Sequence, residues 1–318
     1  MCSMLDISFS KNQRTVQLLA RDVLQRDVGE RLPTSLQYQE ILGVGSGTVQ
    51  KGLRVLEGAG AIKLRPRGAQ GTFLLERRVG PLWAIAGLGH VTGTAPLPDS
   101  GESAGLASGL RSEFDELGIP LQMLYMHGSS NRLRTVAEGR ADFAILSRGA
   151  GERAQLEGVG GRWTELDFGA YSYYSYGSIV VLVRPQLDAS NPSAARTFGI
   201  DRDSYDHTRL TFAEFPESSE RQYETYDYPH IPAAVAEGRI DAAVWHRTAM
   251  AIPLELVGIQ VRPLQTPAAL EVCEALGRAL LLAPREKPEL EAVLRSLDVA
   301  RVRQAQEGVM RNEIAPVY

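Results

Sequence analysis

The sequence is poor in the residues that build disulfides and metal sites. Its 318 residues include 2 cysteines and 5 histidines. Cys2 and Cys273 have neither disulfide nor metal-ligand spacing, and the histidines are scattered. We therefore expect no disulfide framework, no metal site and no cofactor. The histidines are His90, His127, His207, His230 and His246.

Long apolar runs and catalytic motifs are also missing. No segment approaches the roughly 18 to 20 consecutive apolar residues of a membrane-spanning helix, and nothing near Met1 has the residue order of a signal peptide. We therefore predict a cytoplasmic protein with no membrane role. There is no phosphate-binding loop and no Gly-x-Ser-x-Gly elbow, so we assign no catalytic residue and favour a function other than an enzyme.

Charge is divided unevenly along the chain. Residues 1–78 contain 12 Lys and Arg against 7 Asp and Glu, whereas the remaining residues contain 22 against 31. The overall formal charge is −4. A basic segment followed by an acidic one predicts that only the first meets a polyanion.

The basic segment has the residue order of a winged helix-turn-helix. Apolar residues at helical spacing predict a first helix over Asn12–Gln25. Thr34 and Gln37 have the spacing of a capping box that opens a second helix, which runs to Leu42. After Gly43–Gly45, a third helix is predicted from Ser46 to Ala59, with short polar residues at its N-terminal end, the end that reads base edges in such domains.

A β-hairpin is predicted to follow as the wing. Ala61–Leu64 and Thr72–Leu75 are the predicted strands, joined at Gly68–Gly71. Together the third helix and the wing predict a surface for a double-stranded DNA operator. We assign DNA contacts to Thr34, Ser46, Thr48, Gln50, Lys51, Arg54, Arg65, Arg67 and Gln70.

About 65 residues of this segment resemble the GntR-type winged helix of bacterial transcription regulators. The resemblance rests on the Leu-Pro-Thr entry, the Leu-Gly-Val turn and the Arg-Gly-x-Gln-Gly-Thr-Phe wing. It implies DNA binding. Leu36 and Ser46 stand where the family usually has arginines, so we expect an unusual operator.

The acidic segment contains an internal repeat. Residues 137–148 and 236–247 match at a spacing of 99 residues, and each reads as a helix end with Gly, a turn with Asp and a buried strand. Two copies predict two similar lobes.

Strands and helices alternate around each copy of the repeat. Around the first, Leu82–Gly87, Leu121–Met126 and Phe143–Leu146 are predicted strands, with helices over Ala104–Leu117 and Asn131–Glu138. Such alternation predicts parallel sheets. Around the second copy, strands are predicted at Thr197–Ile200, Leu210–Glu214 and Ala242–Trp245, and a helix at Ile231–Glu237.

Two further apolar segments, Ile179–Arg184 and Ala279–Ala283, are predicted to be buried strands that cross between the lobes as a hinge. The acidic segment then resembles the type 2 periplasmic-binding-protein fold, and the whole chain resembles the YhfZ family of transcription regulators. The expected class is α/β. We predict a winged helix-turn-helix domain at 1–78 and a two-lobed effector domain at 79–318, with lobe 1 at about 79–178 plus 280–318 and lobe 2 at about 179–279.

The ligand is expected beyond the carboxyl ends of the strands, where helix N-termini point into a crevice. This rule and the repeat suggest an anion clamp formed by Arg148 and Arg247, although a structural salt bridge explains either arginine equally well. The run from Tyr171 to Tyr176 either lines the cleft or packs in the core. We assign ligand contacts to Thr92, Ser129, Ser130, Asn131, Ser147, Arg148, Tyr174, Ser204, Trp245, His246 and Arg247.

Two functions remain open on the sequence. The first is a homodimeric transcription regulator that senses a small anionic metabolite, since one winged helix reads too few base pairs for specificity. The second is a metabolite-binding enzyme or carrier with a winged-helix interaction appendage. A salt-sensitive preference for DNA would favour the first, and turnover of a bound metabolite would favour the second.

Overall fold

The computed structural model describes residues 11–158, 161–187, 194–247 and 253–318. The chain divides into two compact units. The first unit comprises the residues up to Val91 with Phe114–Leu121 and Glu286–Leu297, and the second comprises Thr92–Glu113, Gln122–Arg285 and Asp298–Tyr318. No helix in the described ranges is long and apolar enough to cross a membrane.

The first unit contains the predicted winged helix-turn-helix. Its elements are α1 (Lys11–Leu24), α2 (Ser35–Leu42), α3 (Ser46–Gly58), β1 (Ile62–Pro66) and β2 (Thr72–Arg77). β1 and β2 pair antiparallel as the wing. The capping box is present, because the Thr34 hydroxyl accepts the Gln37 backbone N–H and the Gln37 side chain accepts the Thr34 backbone N–H.

The three helices of the head pack on a small apolar core. Leu19 and Leu56 are fully buried, and α3 approaches α1 closely at Gly52, where a Cβ would lie 2.6 Å from the Leu19 side chain. Tyr38 of α2 is also buried, and its hydroxyl donates to Asp22 of α1 at 2.5 Å. These contacts fix the orientation of α2 and α3 on α1.

The strand predicted at Leu82–Gly87 is wrong, because this segment belongs to helix α4 (Val79–Ala86). A short apolar run does not by itself distinguish a strand from a helix. Pro81 lies in the first turn of α4, where its missing N–H costs no helical hydrogen bond. The helix packs against α1 and against α11 (Pro288–Leu294).

The first sheet has five strands in the order β4-β3-β5-β12-β6. β3 and β5 are parallel, and β12 runs antiparallel to both β5 and β6. The strands are β3 (Val91–Ala95), β4 (Leu121–Tyr125), β5 (Phe143–Ser147), β6 (Trp163–Asp167) and β12 (Ala279–Pro284). The accompanying helices are α5 (Gly101–Leu117), α6 (Ser129–Ala137), α7 (Arg148–Leu156) and α12 (Val299–Met310).

The second sheet also has five strands, in the order β11-β7-β10-β8-β9. β8 is parallel to β9 and β10, whereas β7 is antiparallel to β10 and β11. Both faces carry buried apolar clusters. The elements are β7 (Ile179–Val183), β8 (Thr197–Ile200), α8 (Tyr205–Glu214), β9 (Gln222–Thr225), α9 (Ile231–Ala236), β10 (Ala242–His246), β11 (Gln260–Pro263) and α10 (Pro267–Leu276).

Three predictions for this part of the chain are wrong. Leu210–Glu214 is the end of α8 and not a strand, and its buried residues Leu210, Thr211 and Glu214 have helical spacing. The polar, proline-ended tyrosine cluster at 223–228 is predicted from the sequence to be a surface loop, but it contains the edge strand β9. The strands β7 and β12 do not cross between the lobes, because each lies within one sheet.

The internal repeat has the same structure in both copies. α6 and α9 each end before a glycine with positive φ, Gly139 and Gly238, and each is followed by a buried strand, β5 and β10. The repeated aspartates accept backbone N–H groups from the neighbouring parallel strand. Asp142 accepts from Thr92 at 2.7 Å, and Asp241 accepts from Thr197 at 2.9 Å. The repeat therefore encodes a register contact between parallel strands.

Candidate functional site

A cavity of about 140 Å³ lies between the two sheets of the second unit. Its lining comes from segments that follow the carboxyl ends of β3, β4 and β8 and from the end of β10 itself. This is the position in which α/β sheets bind ligands. The charged, polar and aromatic residues of the lining include Asp99, Ser129, Arg132, Tyr173, Tyr174, Asp201, Ser204, Asp206, His207, Tyr228, Trp245 and His246.

Arg132 is a buried cation on the first-sheet side of the cavity. It lies in the first turns of α6 and is 3% exposed. Its guanidinium donates to the carbonyl oxygens of Ile145 and Met126, both at 2.9 Å, and to the Tyr173 hydroxyl at 3.1 Å. In the described part of the chain, no carboxylate forms an ion pair with it. A buried charge that has only neutral partners is well placed to bind an anion.

Asp206 is a buried anion on the second-sheet side. It is 7% exposed and accepts hydrogen bonds from the Ser147 hydroxyl at 2.7 Å and the Tyr174 hydroxyl at 3.0 Å. Burial raises the pKa of Asp206, although these two hydrogen bonds and the charges of Arg132 and Arg209 oppose the shift. The cavity therefore contains one buried guanidinium and one buried carboxyl group.

Aromatic rings form much of the cavity wall. Tyr228 stacks on Trp245 with ring centroids 4.1 Å apart, and Tyr173 meets Tyr174 edge to face at 4.9 Å. Tyr174 also lies edge to face with His246 at 5.1 Å. Tyr and Trp in this arrangement offer apolar faces together with polar edges, a common lining of small-molecule sites.

Two buried histidines, His207 and His246, line the cavity. His207 accepts the Asp201 backbone N–H through Nδ1 at 2.9 Å, and its Nε2 lies 2.9 Å from the Val244 carbonyl oxygen, which makes Nε2 the protonated nitrogen. Burial lowers the pKa of His207 to about 4, so its ring is neutral at pH 7. His246 Nε2 lies 3.3 Å from Glu102 Oε1, which joins the end of β10 to α5.

The first unit presents a separate basic surface on α3 and the wing. Lys51, Arg54, Arg65 and Arg67 are exposed, and within the described ranges none of them has an acidic partner. The Arg67 guanidinium lies 4.8 Å from the centroid of the Phe73 ring, which steadies it on the wing. Exposed cations on a recognition helix and a wing suit contact with DNA phosphates.

Comparison with known protein families assigns both segments. A family model described as the YhfZ C-terminal domain matches residues 79–318. The chain belongs to the YhfZ family. A second model, described as a helix-turn-helix domain, matches residues 27–74. The family assignment favours a regulator over an enzyme, and it agrees with the resemblance drawn from the sequence.

Known relatives align with most of this chain. The protein YhfZ of Escherichia coli K12 is 27% identical over 304 residues, which are 95% of this chain and 96% of that protein. A crystal structure of YhfZ from Shigella flexneri aligns with a TM-score of 0.59 and 24% identity, covering 76% of this chain and 98% of that one. The YhfZ fold is therefore present here.

The second unit also resembles periplasmic binding proteins. The aliphatic sulphonate binding protein SsuA of Escherichia coli aligns with a TM-score of 0.52 and 16% identity, covering 70% of each chain. At that identity the match concerns the fold alone, and it supports the predicted resemblance of this YhfZ-family chain to the periplasmic-binding-protein fold.

Five of the predicted ligand residues line the cavity of this YhfZ-family chain. Ser129 begins α6 at the cavity, and Ser204 caps α8 by accepting the His207 backbone N–H. The other three are Tyr174, Trp245 and His246. The rule of strand carboxyl ends predicted four of these positions, and the tyrosine run from Tyr171 to Tyr176 predicted Tyr174.

Besides Arg148 and Arg247, four predicted ligand residues lie outside the lining. Thr92 was expected after the predicted strand Leu82–Gly87. The first strand of this sheet along the chain is instead β3, Val91–Ala95, so Thr92 lies near its beginning and not beyond its carboxyl end. Ser130 is exposed, and the Asn131 side chain donates to the carbonyl oxygen of His127, just before α6. Ser147 is not part of the lining but supports it, since it binds Asp206 and caps α7.

The predicted anion clamp of Arg148 and Arg247 is absent. Arg148 is exposed and pairs with Glu152, one turn along α7, at 2.7 Å. Arg247 is exposed at the end of β10, where its backbone N–H donates to the Ser178 carbonyl oxygen. Both arginines follow the last residue of a strand whose inward positions are already apolar, so their long side chains extend into solvent.

Three main cavity residues were missed in the sequence. The sequence predicts Arg132 only as part of the helix Asn131–Glu138, gives Asp206 no role, and places Tyr228 in a surface loop. A charged residue between the apolar positions of α6 was the available signal for Arg132.

Among the described residues, no group of three or more His, Cys, Asp or Glu side chains is arranged to hold a metal ion.

Proposed function

We propose that this chain is a cytoplasmic, DNA-binding transcription regulator whose operator affinity is controlled by a small anionic molecule in the cavity of the second unit. The observation that carries the proposal is a helix-turn-helix with unpaired exposed cations, Lys51, Arg54, Arg65 and Arg67, in the same chain as a sensor-like domain. These side chains would contact phosphates, while Ser46, Thr48 and Gln50 at the start of α3 would face base edges.

Arg132 supports the anionic character of the effector. Its guanidinium has five N–H groups, of which three are used by the Ile145, Met126 and Tyr173 oxygens. The Tyr173 hydroxyl accepts from Arg132, so its own hydrogen is directed elsewhere. Ser129 lies at the N-terminus of α6 beside them, where backbone N–H groups favour negative charge.

A homodimer is part of the proposal. One winged helix contacts a short DNA segment, and two copies on a pseudo-palindromic site would supply the base contacts that a genomic site needs. Movement of the two sheets on ligand binding would then change the spacing of the two winged helices. Sedimentation of the full chain with and without DNA tests the dimer.

The DNA-binding part is tested by fluorescence anisotropy of the full chain with duplexes taken from upstream of its own gene. We expect binding that prefers one duplex over a shuffled duplex and that weakens steeply with salt. Binding with no sequence preference at any salt concentration would refute the proposed regulator.

The sensor part is tested separately with Arg132→Lys, which keeps the charge but loses the planar fork. We expect the variant to bind DNA like the wild type and to respond less to small anions in a thermal-shift assay. An Arg148→Lys variant is the matched control, because Arg148 lies outside the cavity. Equal anion responses in wild type and Arg132→Lys would contradict the proposed anion site.

A further inference from the structure

The cavity contains more negative charge than its single arginine balances. Besides Arg132 its lining includes Asp99, Asp201 and Asp206. Asp201 and Asp99 are at least partly open to solvent, whereas Asp206 is buried. A ligand with only anionic groups would satisfy Arg132 and would be repelled by Asp206. The acidic side of the cavity therefore requires its own explanation.

Asp206 has only neutral hydrogen-bond donors. Its two oxygens accept from the hydroxyls of Ser147 and Tyr174, and no side chain in the described residues forms an ion pair with it. A buried carboxylate that has no ion pair is unfavourable, and a ligand cation in direct contact with it would offset that cost. Burial raises the pKa of Asp206, as expected for such an unpaired group.

The rings beside Asp206 suit a small cation. The Tyr174 ring, whose hydroxyl binds Asp206, lines the cavity together with the stacked pair of Tyr228 and Trp245. An ammonium group gains attraction from the faces of such rings when water is excluded. A carboxylate that binds Tyr174 and shares the cavity with the Tyr228–Trp245 pair therefore favours a ligand ammonium over a second ligand anion.

The cavity volume limits the ligand to one small molecule. A volume of about 140 Å³, at about 10 to 15 Å³ for each enclosed water position, corresponds to roughly ten such positions. That space holds a molecule of on the order of ten heavy atoms. One ligand of that size could contact both charged ends of the cavity.

We propose that the effector is a small zwitterion, with its anionic group on Arg132 and the N-terminus of α6, and its ammonium group on Asp206 and the surrounding rings of Tyr174 and Tyr228. This inference rests on the proposed sensor function and specifies its ligand class. Small amino acids, including those with the amino group remote from the carboxylate, have this chemistry.

The test is a thermal-shift and calorimetric comparison on the full chain. The probes are the small L-amino acids, β-alanine and 4-aminobutyrate, with succinate and glutarate as anions that lack an ammonium group. Each binder is then compared with its desamino carboxylate and its decarboxylated amine. We expect a zwitterion to bind at least 30-fold more tightly than either half-charged analogue. A panel without a zwitterion binder, or equal affinity for the desamino analogue, overturns the proposal.

An Asp206→Asn variant separates ligand recognition from a structural role. The asparagine retains an oxygen acceptor for Ser147 or Tyr174 but has no charge. We expect it to lose at least 30-fold in affinity for the zwitterion and to gain affinity for the desamino carboxylate, because repulsion is removed. Equal losses for both ligands would mean that Asp206 only maintains the fold, and would overturn the proposal.

Asp203→Asn is the matched control, since Asp203 is an exposed neighbour outside the cavity lining, and it should retain wild-type affinity for the zwitterion. Failure of this inference is distinguishable from failure of the proposed function. Salt-dependent DNA binding without any ligand tests the regulator, and the loss of anion response in Arg132→Lys tests the anion site. If both hold while succinate matches the zwitterions, only the zwitterion inference falls.

Discussion

The Ser147 hydroxyl donates to Asp206 Oδ1 at 2.7 Å, and this buried contact joins the end of β5 in the first sheet to α8 beside the second sheet. The same hydroxyl accepts the Ala150 backbone N–H at the start of α7. One serine thus supports both a helix cap and the charged end of the cavity.

Ser147→Ala should lower the free energy of unfolding by about 1 to 3 kcal/mol, because a buried carboxylate loses one of its two donors and α7 loses its cap. Urea denaturation followed by circular dichroism measures the change. Ser130→Ala, at an exposed serine of α6, is the control and should change stability by less than about 0.5 kcal/mol. Equal effects of the two substitutions would show that the Ser147 contact contributes nothing to stability.

The basic surface of the first unit makes a second prediction. Lys51→Ala on α3 and Arg65→Ala on the wing should each weaken DNA binding, and each should make the slope of log affinity against log salt less steep by about 0.9, the value for one lost phosphate contact. Anisotropy titrations at several salt concentrations measure both quantities.

Arg140→Ala is the control for this salt dependence, because Arg140 is an exposed cation of the second unit that pairs with Glu138. Its substitution should leave the affinity and the slope unchanged. If Arg140→Ala reduced the slope as much as Lys51→Ala, DNA binding would depend on net charge and not on the winged helix.

The buried pair of Glu214 and Arg262 makes a third prediction. Arg262 donates to Glu214 at 2.6 Å, and the two side chains are 7% and 1% exposed. Glu214 also accepts the backbone N–H groups of Gln265 and Thr266, which connect β11 to α10. Glu214→Gln should lower the free energy of unfolding by about 3 to 5 kcal/mol, because the guanidinium remains buried without its counterion.

The exposed pair of Arg196 and Glu220 provides the matched control. Its nitrogen–oxygen distance is also 2.6 Å, but the side chains are 57% and 71% exposed. Glu220→Gln should cost at most about 1 kcal/mol. Chemical denaturation of both variants measures the contrast, and similar losses would rule out burial as the source of the effect.

The sequence predicted those parts of the fold that depend on local pattern. The capping box of Thr34 and Gln37 specifies where α2 begins, and the Gly and Asp residues of the repeat specify the turns before β5 and β10. Each of these residues determines the conformation of a helix end or a turn that lies within a few positions of it in the sequence. For the same reason the helix and the strand within each copy of the repeat, α6 with β5 and α9 with β10, were predicted correctly.

The misassigned elements and site residues depend on contacts distant in sequence. The run at 82–87 is apolar enough for a strand, and its packing on α1 is part of what makes it helical. That error moved the expected site from the loop containing Asp99 to Thr92. Arg132 and Asp206 are 74 residues apart, and only the folded chain brings both to one cavity.

His207 makes a prediction about pH. Its ring is enclosed by the Asp201 backbone N–H, the Val244 carbonyl oxygen and the Tyr228 ring, and burial lowers its pKa from 6.5 to about 4. The unfolded chain therefore binds a proton at His207 below about pH 6.5 that the native chain does not bind. The free energy of unfolding therefore falls by about 3 kcal/mol in total as the pH falls from about 6.5 to about 4. Below about pH 4 both states bind the proton, and His207 causes no further loss.

His207→Gln should remove this loss, so the stability difference between wild type and variant should shrink by up to about 3 kcal/mol between pH 6.5 and pH 4. The raised pKa of Asp206 has the opposite effect on stability, but it is present in both proteins and largely cancels in the difference. Urea unfolding at several pH values measures the difference. His230→Gln is the control, because His230 is 69% exposed and should leave the pH profile unchanged. A wild-type profile parallel to that of His207→Gln would mean that His207 titrates alike in the folded and unfolded chains.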